Sequence, residues 1–302
     1  MDLDPRRHPG PIGVRLSATD SAGVDWPRVE AFWARAGELD AVDAVWMSDH
    51  LSDATLQRNG PALEALTTVA ALAHHLRGRW AGIAVLAATF RHPALVAKSA
   101  TVLDHATGGR FLLGMGAGWH AGEHDAFGIP LPPIRERFDR YEASVAAVAA
   151  LFSDAARTPP GVNVDDPLAP LRAATNEPPP LTPGGPPLWL GGTRSRGLAL
   201  LARFASGWPM PGNRPGDVAF FADRRDAIRR ALTDAGRDPD DFSFAAQLSV
   251  GASPAERRAA LEVARRFRAA GATHVILGLP AALAPEGLDD LVREVAEPLR
   301  GS

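Results

Sequence analysis

No cysteine occurs among the 302 residues, so disulfides, iron-sulfur clusters, thiolate zinc sites and a cysteine nucleophile are excluded by composition. Any redox chemistry needs a borrowed cofactor. Positive charge is not in surplus either. The 32 Lys and Arg stand against 35 Asp and Glu, for a formal net charge of -3, and the arginines are scattered, which leaves no patch for nucleic-acid phosphates. Lys98 is the sole lysine. Long hydrophobic runs are missing too: the opening MDLDPRRHPGP holds acids and prolines instead of an apolar targeting core, and later apolar stretches break well short of the ~20 residues a membrane span needs. These absences predict a cytoplasmic protein with neither nucleic acid nor membrane as a partner.

What is present reads as an α/β protein. With 46% hydrophobic and 22% charged residues the chain can bury a sizeable core. The length fits two domains of ~150 residues or one barrel of ~250 carrying an insertion. Short apolar runs at 12–18, 44–48, 80–88, 110–115, 187–190, 207–210, 242–250 and 274–279 alternate with stretches of helical spacing. In the first of these stretches Val29, Phe32, Trp33, Ala36 and Leu39 share a face behind Pro27. In the third, started by Pro93, the inward residues are read as Leu95, Val96, Ser99, Val102, Leu103 and Ala106. Strand-then-helix units in this number predict a (β/α)8 TIM barrel spanning 1–302 as a single domain, with a doubly wound open sheet as the alternative. Residues 153–187 break the rhythm: they hold ten of the 27 prolines and few large apolar residues. They read as a Pro-rich insertion between the fourth helix and fifth strand, long enough to climb over the barrel mouth as a lid.

On a barrel, chemistry gathers where the strands end. Those positions are poor in carboxylates: Asp49 and, less securely, Asp20 are the acids at strand ends, which argues against paired-acid hydrolysis. His120, Glu123 and His124 spell the zinc spacing H-x-x-E-H, but that motif works on a helix, and Gly114, Gly116, Gly118 and Gly122 around it read as a loop. No strand shows an H-x-H pair, so no metal is expected. FLLGMGAGW fails the dinucleotide fingerprint because Trp119 stands at its third glycine. Gly114, Gly116 and Gly118 instead leave a strand end bare of side chains, either a tight turn or a place where a ring or phosphate meets backbone amides. GGTRSRG at 191–197 predicts a phosphate site, with Thr193 placed to cap the next helix and Arg194 and Arg196 nearby. Trp189 and Trp208 stand near strand ends, where an indole either stacks on a ligand or packs a barrel layer. Arg91 and His92 read as helix-entry residues and Lys98 as a surface or interhelical one.

These residues become recognisable together. DAVWMSDHL at 43–51, the block FRHPALVAKSATVLDHATGGRFLLGMGAGWHAGEHDAFGIPLPPIRERFDRYE at 90–142, PPLWLGGTRSRGLALLARFASGW at 186–208 and GATHVILGLP at 271–280 resemble the luciferase-like monooxygenase superfamily. Its branch that uses the deazaflavin coenzyme F420 is the most similar. The resemblance implies a barrel that binds a flavin or deazaflavin at the C-terminal strand ends, with the phosphate near Gly191, Gly192 and Thr193. Asp49 and His50 match the Asp-His pair beside the ring. Ala84-Val85 matches a non-prolyl cis peptide that bulges behind it, and Gly116, Ala117 and Gly118 would line its polar side. A homodimer is implied as well. The chain departs from some F420 dehydrogenases in having Thr19 and Ala117 where they carry glutamates, so chemistry resting on those acids is not expected.

The reaction implied is hydride transfer between F420 and a small organic substrate. His50 is the first candidate to move the accompanying proton, since imidazole titrates near neutrality, with Asp49 orienting it or holding cofactor; His120 is the second. Reduced FMN with oxygen, giving monooxygenation, is the alternative, and a non-catalytic flavin-binding protein is a third.

Overall fold

The computed structural model describes residues 8–17, 25–52 and 61–301. Thr19 and Asp20 lie outside them. In chain order the elements are β1 (Ile12–Ser17), α1 (Trp26–Glu38), β2 (Ala44–Met47), α2 (Ala65–Leu72), β3 (Trp80–Ala87), α3 (Pro93–Ala106), β4 (Phe111–Gly116), α4 (Ala121–Ala126), α5 (Ile134–Phe152), β5 (Val162–Val164), β6 (Leu171–Ala174), β7 (Leu188–Leu190), α6 (Ser195–Phe204), β8 (Gly207–Pro209), α7 (Val218–Asp234), β9 (Ser243–Ser249), α8 (Pro254–Ala269), β10 (His274–Pro280) and α9 (Glu286–Leu291). All strands but β5 and β6 pair in parallel, in the order β1-β10-β9-β8-β7-β4-β3-β2, and close on themselves. The barrel is the expected one, and the open sheet is excluded. Among the described residues no helix is long and apolar enough to cross a membrane.

Alternation along each strand divides the core in two. Ile12, Val14, Val45, Ile83, Phe111 and Leu113 face outward into the layer shared with the helices, where α1 contributes Val29, Phe32, Trp33 and Ala36. The inward residues Ala44, Trp46, Trp80, Leu112, Trp189, Ala245 and Ile276 plug the barrel. Two indoles dominate that plug, Trp46 and Trp189, with ring centroids 4.9 Å apart. Glycines make room for them: a Cβ on Gly82 would come within 2.5 Å of Trp46, and one on Gly207 within 2.4 Å of Trp189. Trp189 therefore packs a barrel layer.

The plug also holds a buried imidazole. His274 Nδ1 donates to Gly10 O at 2.5 Å, and Nε2 accepts from Trp46 Nε1 at 2.9 Å. Burial lowers its pKa from 6.5 to about 4. The unfolded chain therefore binds a proton across that window that the folded barrel refuses. His274's contribution is complete above pH 6.5 and is lost as the pH falls toward 4, about 3 kcal/mol in all. Urea midpoints measured across this range are expected to fall steeply with acid, and His274→Asn to flatten the slope; an unchanged slope in the variant would refute the assignment.

Two sequence expectations are corrected here. On α3 the buried face is Val96, Ala97, Ala100, Thr101, Leu103 and Asp104, while Leu95 and Val102 are 65% and 60% exposed. The misreading arose because apolar residues occupy both faces of this helix, so spacing alone did not set the phase. The insertion at 153–187 does not cover the mouth. It forms the β5-β6 hairpin and runs along α3: Lys98 Nζ donates to Glu177 O at 2.7 Å, Asn176 Nδ2 to Thr101 Oγ1 at 3.0 Å, and Thr182 N and Oγ1 to the Asp104 carboxylate at 2.7 and 2.8 Å. These partners, with Gly185 pressed on Phe152 at the end of α5, hold it against the outer helices.

Candidate active site

The C-terminal ends of β2, β3, β4 and β7 adjoin one another in the barrel and build the site. Three residues after β2, His50 directs Nδ1 to Glu123 Oε2 at 3.2 Å. Glu123 is carried by α4, a short helix that the glycine-rich spacing had suggested was a loop. His120 starts that helix, its Nδ1 accepting from Glu123 N at 2.9 Å. Glu123 is 2% exposed and takes further bonds from Ser52 N at 3.0 Å and from Leu51 N. Burial disfavours its charge, but the His50 bond and the two backbone amides outweigh that, and its carboxyl sits below the ordinary glutamate range. A carboxylate there makes Nδ1 of His50 the donor and leaves Nε2, which bonds to no other group among the described residues, as the proton acceptor. The His50 side chain is 22% exposed, and Trp119, 60% exposed, sets its ring edge-on at 6.1 Å.

The zinc reading fails on the same bonds. His124 Nδ1 donates to His120 O at 2.8 Å and its Nε2 accepts from Thr89 Oγ1 at 2.8 Å, while Glu123 is committed to His50. Among the described residues no cluster of His, Asp and Glu is arranged to hold a metal.

Asp49 does not orient His50. Its carboxylate, fully buried, receives both terminal nitrogens of Arg91 at 2.8 Å and the Ala87 amide at 2.8 Å. Arg91 also reaches Glu64 at the start of α2. The helix-entry role expected of Arg91 belongs to His92 alone, which accepts from Ala94 N at 3.2 Å. The ion pair ties the β2 and β3 loops together and positions the backbone that carries His50.

Behind this loop β3 bulges. Ala84-Val85 is a cis peptide, as the resemblance implies, and the β3-β4 register shifts between Ile83 and Leu86. Glycines on the adjoining strands form a wall that presses closely against that bulge. A Cβ on Gly114 would fall 1.9 Å from Ile83 O, one on Gly116 2.7 Å from Val85 Cγ2, and one on Gly118 2.6 Å from Thr89 Oγ1. All three glycines are thus required by the close approach of β3 and the loop after it, whereas a Cβ on Gly191 would meet nothing nearer than 3.7 Å. Tyr141 of α5 bridges the wall from behind, donating to Met115 O at 2.7 Å and Gly191 O at 3.2 Å. Beyond lie Gly191, Gly192 (φ 102°) and Thr193, ahead of α6.

Thr193 does not cap α6: Arg194 holds that position, and no side chain bonds to the helix amides. Arg196 is turned away as well, paired with Asp139 and Glu142 of α5 and stacked on Phe138. Trp208 is corrected too. It faces outward from β8, fully buried and stacked on Phe221 of α7 at 5.7 Å, and cannot reach a ligand at the mouth. Sequence reasoning missed Glu123 as the partner of His50, and also Trp119 and Tyr141. Glu123 had a signal, since an acid three residues after a helix-starting His lies on the first turn.

Residues 12–294 match the luciferase-like monooxygenase family. The chain belongs to that family. A phthiodiolone/phenolphthiodiolone dimycocerosates ketoreductase of Mycobacterium sp. (strain JLS) is 30% identical over 261 residues, 79% of this chain and 66% of that relative, so the chain spans just under two thirds of its length. Among solved structures, the coenzyme F420 dependent tetrahydromethanopterin reductase from Methanopyrus kandleri superposes with a TM-score of 0.73 at 16% identity, over 97% of this chain and 100% of that one. Riboflavin lyase with modified FMN and riboflavin gives the same TM-score and identity, over 97% and 92%. At such identities the likeness is one of fold, and the two neighbours carry different ring cofactors on it.

Proposed function

We propose that the chain is an oxidoreductase that moves a hydride between coenzyme F420 and a small organic substrate. The observation that carries this reading is the strand-end backbone from Gly116 to Gly118 and Gly191, which bears no side chain larger than the Ala117 methyl, is backed by the β3 register shift between Ile83 and Leu86, and is flanked by His50. A tricyclic ring fits such a surface, because a planar π system needs flat contact and backbone amides instead of side chains. When bound, the deazaflavin supplies a two-electron carrier. Gly192 and Thr193, with the uncapped amides of α6 and the exposed Arg194, would meet its phosphate. His50 Nε2 takes or gives the proton that accompanies the hydride, and Glu123 stabilises the imidazolium that results. Trp119 shields that imidazole from water. The reading includes a homodimer, as the resemblance implies.

A specific observation keeps FMN as a second reading: the fold neighbour bound to modified FMN shares this barrel as fully as the F420 enzyme does. Titrating the purified chain with F420 and with FMN, in both redox states, separates them. F420 is expected to bind at least tenfold more tightly, with its ~420 nm band perturbed. Tighter FMN binding, with oxygen consumption by the reduced complex, would reverse the assignment.

A further inference from the structure

The wall of the barrel opposite the glycines holds a cation with no counterion among the described residues. On β1, Ile12 and Val14 face the helices, so Gly13 and Arg15 face the interior, and a Cβ on Gly13 would indeed strike His274 and Trp46 of the plug. Arg15 stands one inward step above that plug, toward the mouth. Its Nε is sealed from solvent without a hydrogen-bond partner, and among the described residues its guanidinium makes neither a hydrogen bond nor an ion pair. Arg91 holds Asp49 and Glu64, and Arg257 on α8 holds Glu294 and Asp290; Arg137 of α5 shares with Arg15 an Nε sealed without a partner, but it stands on an outer helix and not on a barrel strand. Burial brings the Arg15 pKa down to about 10, which leaves it charged at neutral pH. A half-buried charge without a partner among the described residues costs stability, and this points to a partner that arrives from outside.

The neighbouring groups define that partner. Gln247 of β9 also faces inward, its Nε2 spent on Met210 O and its Oε1 buried with no donor. Gly212 faces both. A Cβ there would lie 3.7 Å from Gln247 Oε1 and 3.9 Å from each terminal nitrogen of Arg15, so all three border one space, and the guanidinium turns its two-nitrogen edge toward it. Gly278, the register partner of Arg15 on β10, adds no side chain to fill it. A two-pronged donor beside a lone acceptor complements a planar oxyanion with an adjacent O–H or N–H. In the closed strand order β9 lies directly across from β3. If a ring rests on the β3-β4 wall, this space is on its open face.

We propose that Arg15, Gln247 and Gly212 form a substrate-anchoring subsite for a carboxylate, with Gln247 Oε1 receiving a hydroxyl or N–H next to the acid. The choice of substrate over cofactor as its occupant rests on the ring-binding reading above.

The test is direct binding to the full chain, without cofactor. Calorimetry and thermal unfolding would compare a 2-hydroxycarboxylate series from lactate upward with the methyl esters, the 2-deoxy acids and inorganic phosphate. The acids are expected to bind at least tenfold more tightly than their esters. Arg15→Met should abolish that preference and, having lost an uncompensated charge, unfold at a higher temperature than the wild type when unliganded. Gln247→Leu should erase the advantage of hydroxy over deoxy acids. Arg15→Lys keeps the charge but not the fork, and should bind acids at least tenfold more weakly while still preferring them to esters; it serves if the Met variant does not fold. Equal binding of acid and ester, an acid preference that survives in Arg15→Met, or phosphate binding more tightly than every carboxylate each overturns the subsite. A chain that binds F420 but shows no acid preference defeats this inference alone. An acid preference without F420 or FMN binding upholds the subsite and defeats only the ring-binding reading.

Discussion

Replacing His50 with alanine is expected to lower kcat by about 10²- to 10⁴-fold while F420 affinity stays within a few-fold of wild type. The argument rests on which nitrogen is free. Glu123 occupies Nδ1 at 3.2 Å, so the exchange of a proton falls to Nε2. Glu123→Gln keeps the shape and, through its amide oxygen, the backbone bonds to Leu51 and Ser52, but it turns an NH2 toward His50 Nδ1, which removes the charge that favours an imidazolium and shifts the neutral ring proton to Nε2. It should therefore show an intermediate loss, on the order of 10- to 100-fold, with little change in KM. Both effects are measured as absorbance change at ~420 nm with an acceptor drawn from a carbonyl panel. Added imidazole should restore part of the His50→Ala rate. Normal turnover in His50→Ala would remove this residue from the chemistry, and a Glu123→Gln enzyme as slow as His50→Ala would show that the carboxylate does more than steady the ring.

The second large effect is on stability. Arg91→Ala should cost about 3 to 5 kcal/mol, because it leaves the Asp49 carboxylate buried and unpaired. For a chain of this size that corresponds to a fall in Tm on the order of 10 °C. Asp49→Asn/Arg91→Met removes both charges together and should recover much of the loss, since a buried pair exchanged for neutral groups is often nearly neutral. Chemical denaturation of the two variants and the wild type decides it. A single variant within about 1 kcal/mol of wild type would mean that water already satisfies the Asp49 carboxylate.

How far the site could be read from sequence depended on the range of the interaction. The glycine run Gly114, Gly116 and Gly118 was legible because it is a local pattern, though not that β3 packs against it, and the Ala84-Val85 bulge was legible through resemblance. The partner of His50 was not, because Glu123 lies 73 residues away and meets it only when α4 folds beside the β2 loop. Asp49 was paired on paper with its neighbour His50, yet adjacent residues leave a strand end in different directions, and the carboxylate found Arg91. Trp208 looked like a ring-stacking residue until the alternation of β8 turned it into the helix layer.

The sequence by itself determined the parallel barrel, the positions of its strands, the absence of thiol chemistry and the family to which the chain belongs. These follow from hydrophobic period, composition and short motifs, all properties of neighbouring residues. Only the tertiary structure decided that Glu123 steadies His50, that the Pro-rich insertion hugs α3 and α5, and that Arg15 and Gln247 border one space to which no described residue brings a carboxylate. Each of those depends on which face of one element meets another, and packing sets that only once the barrel has closed.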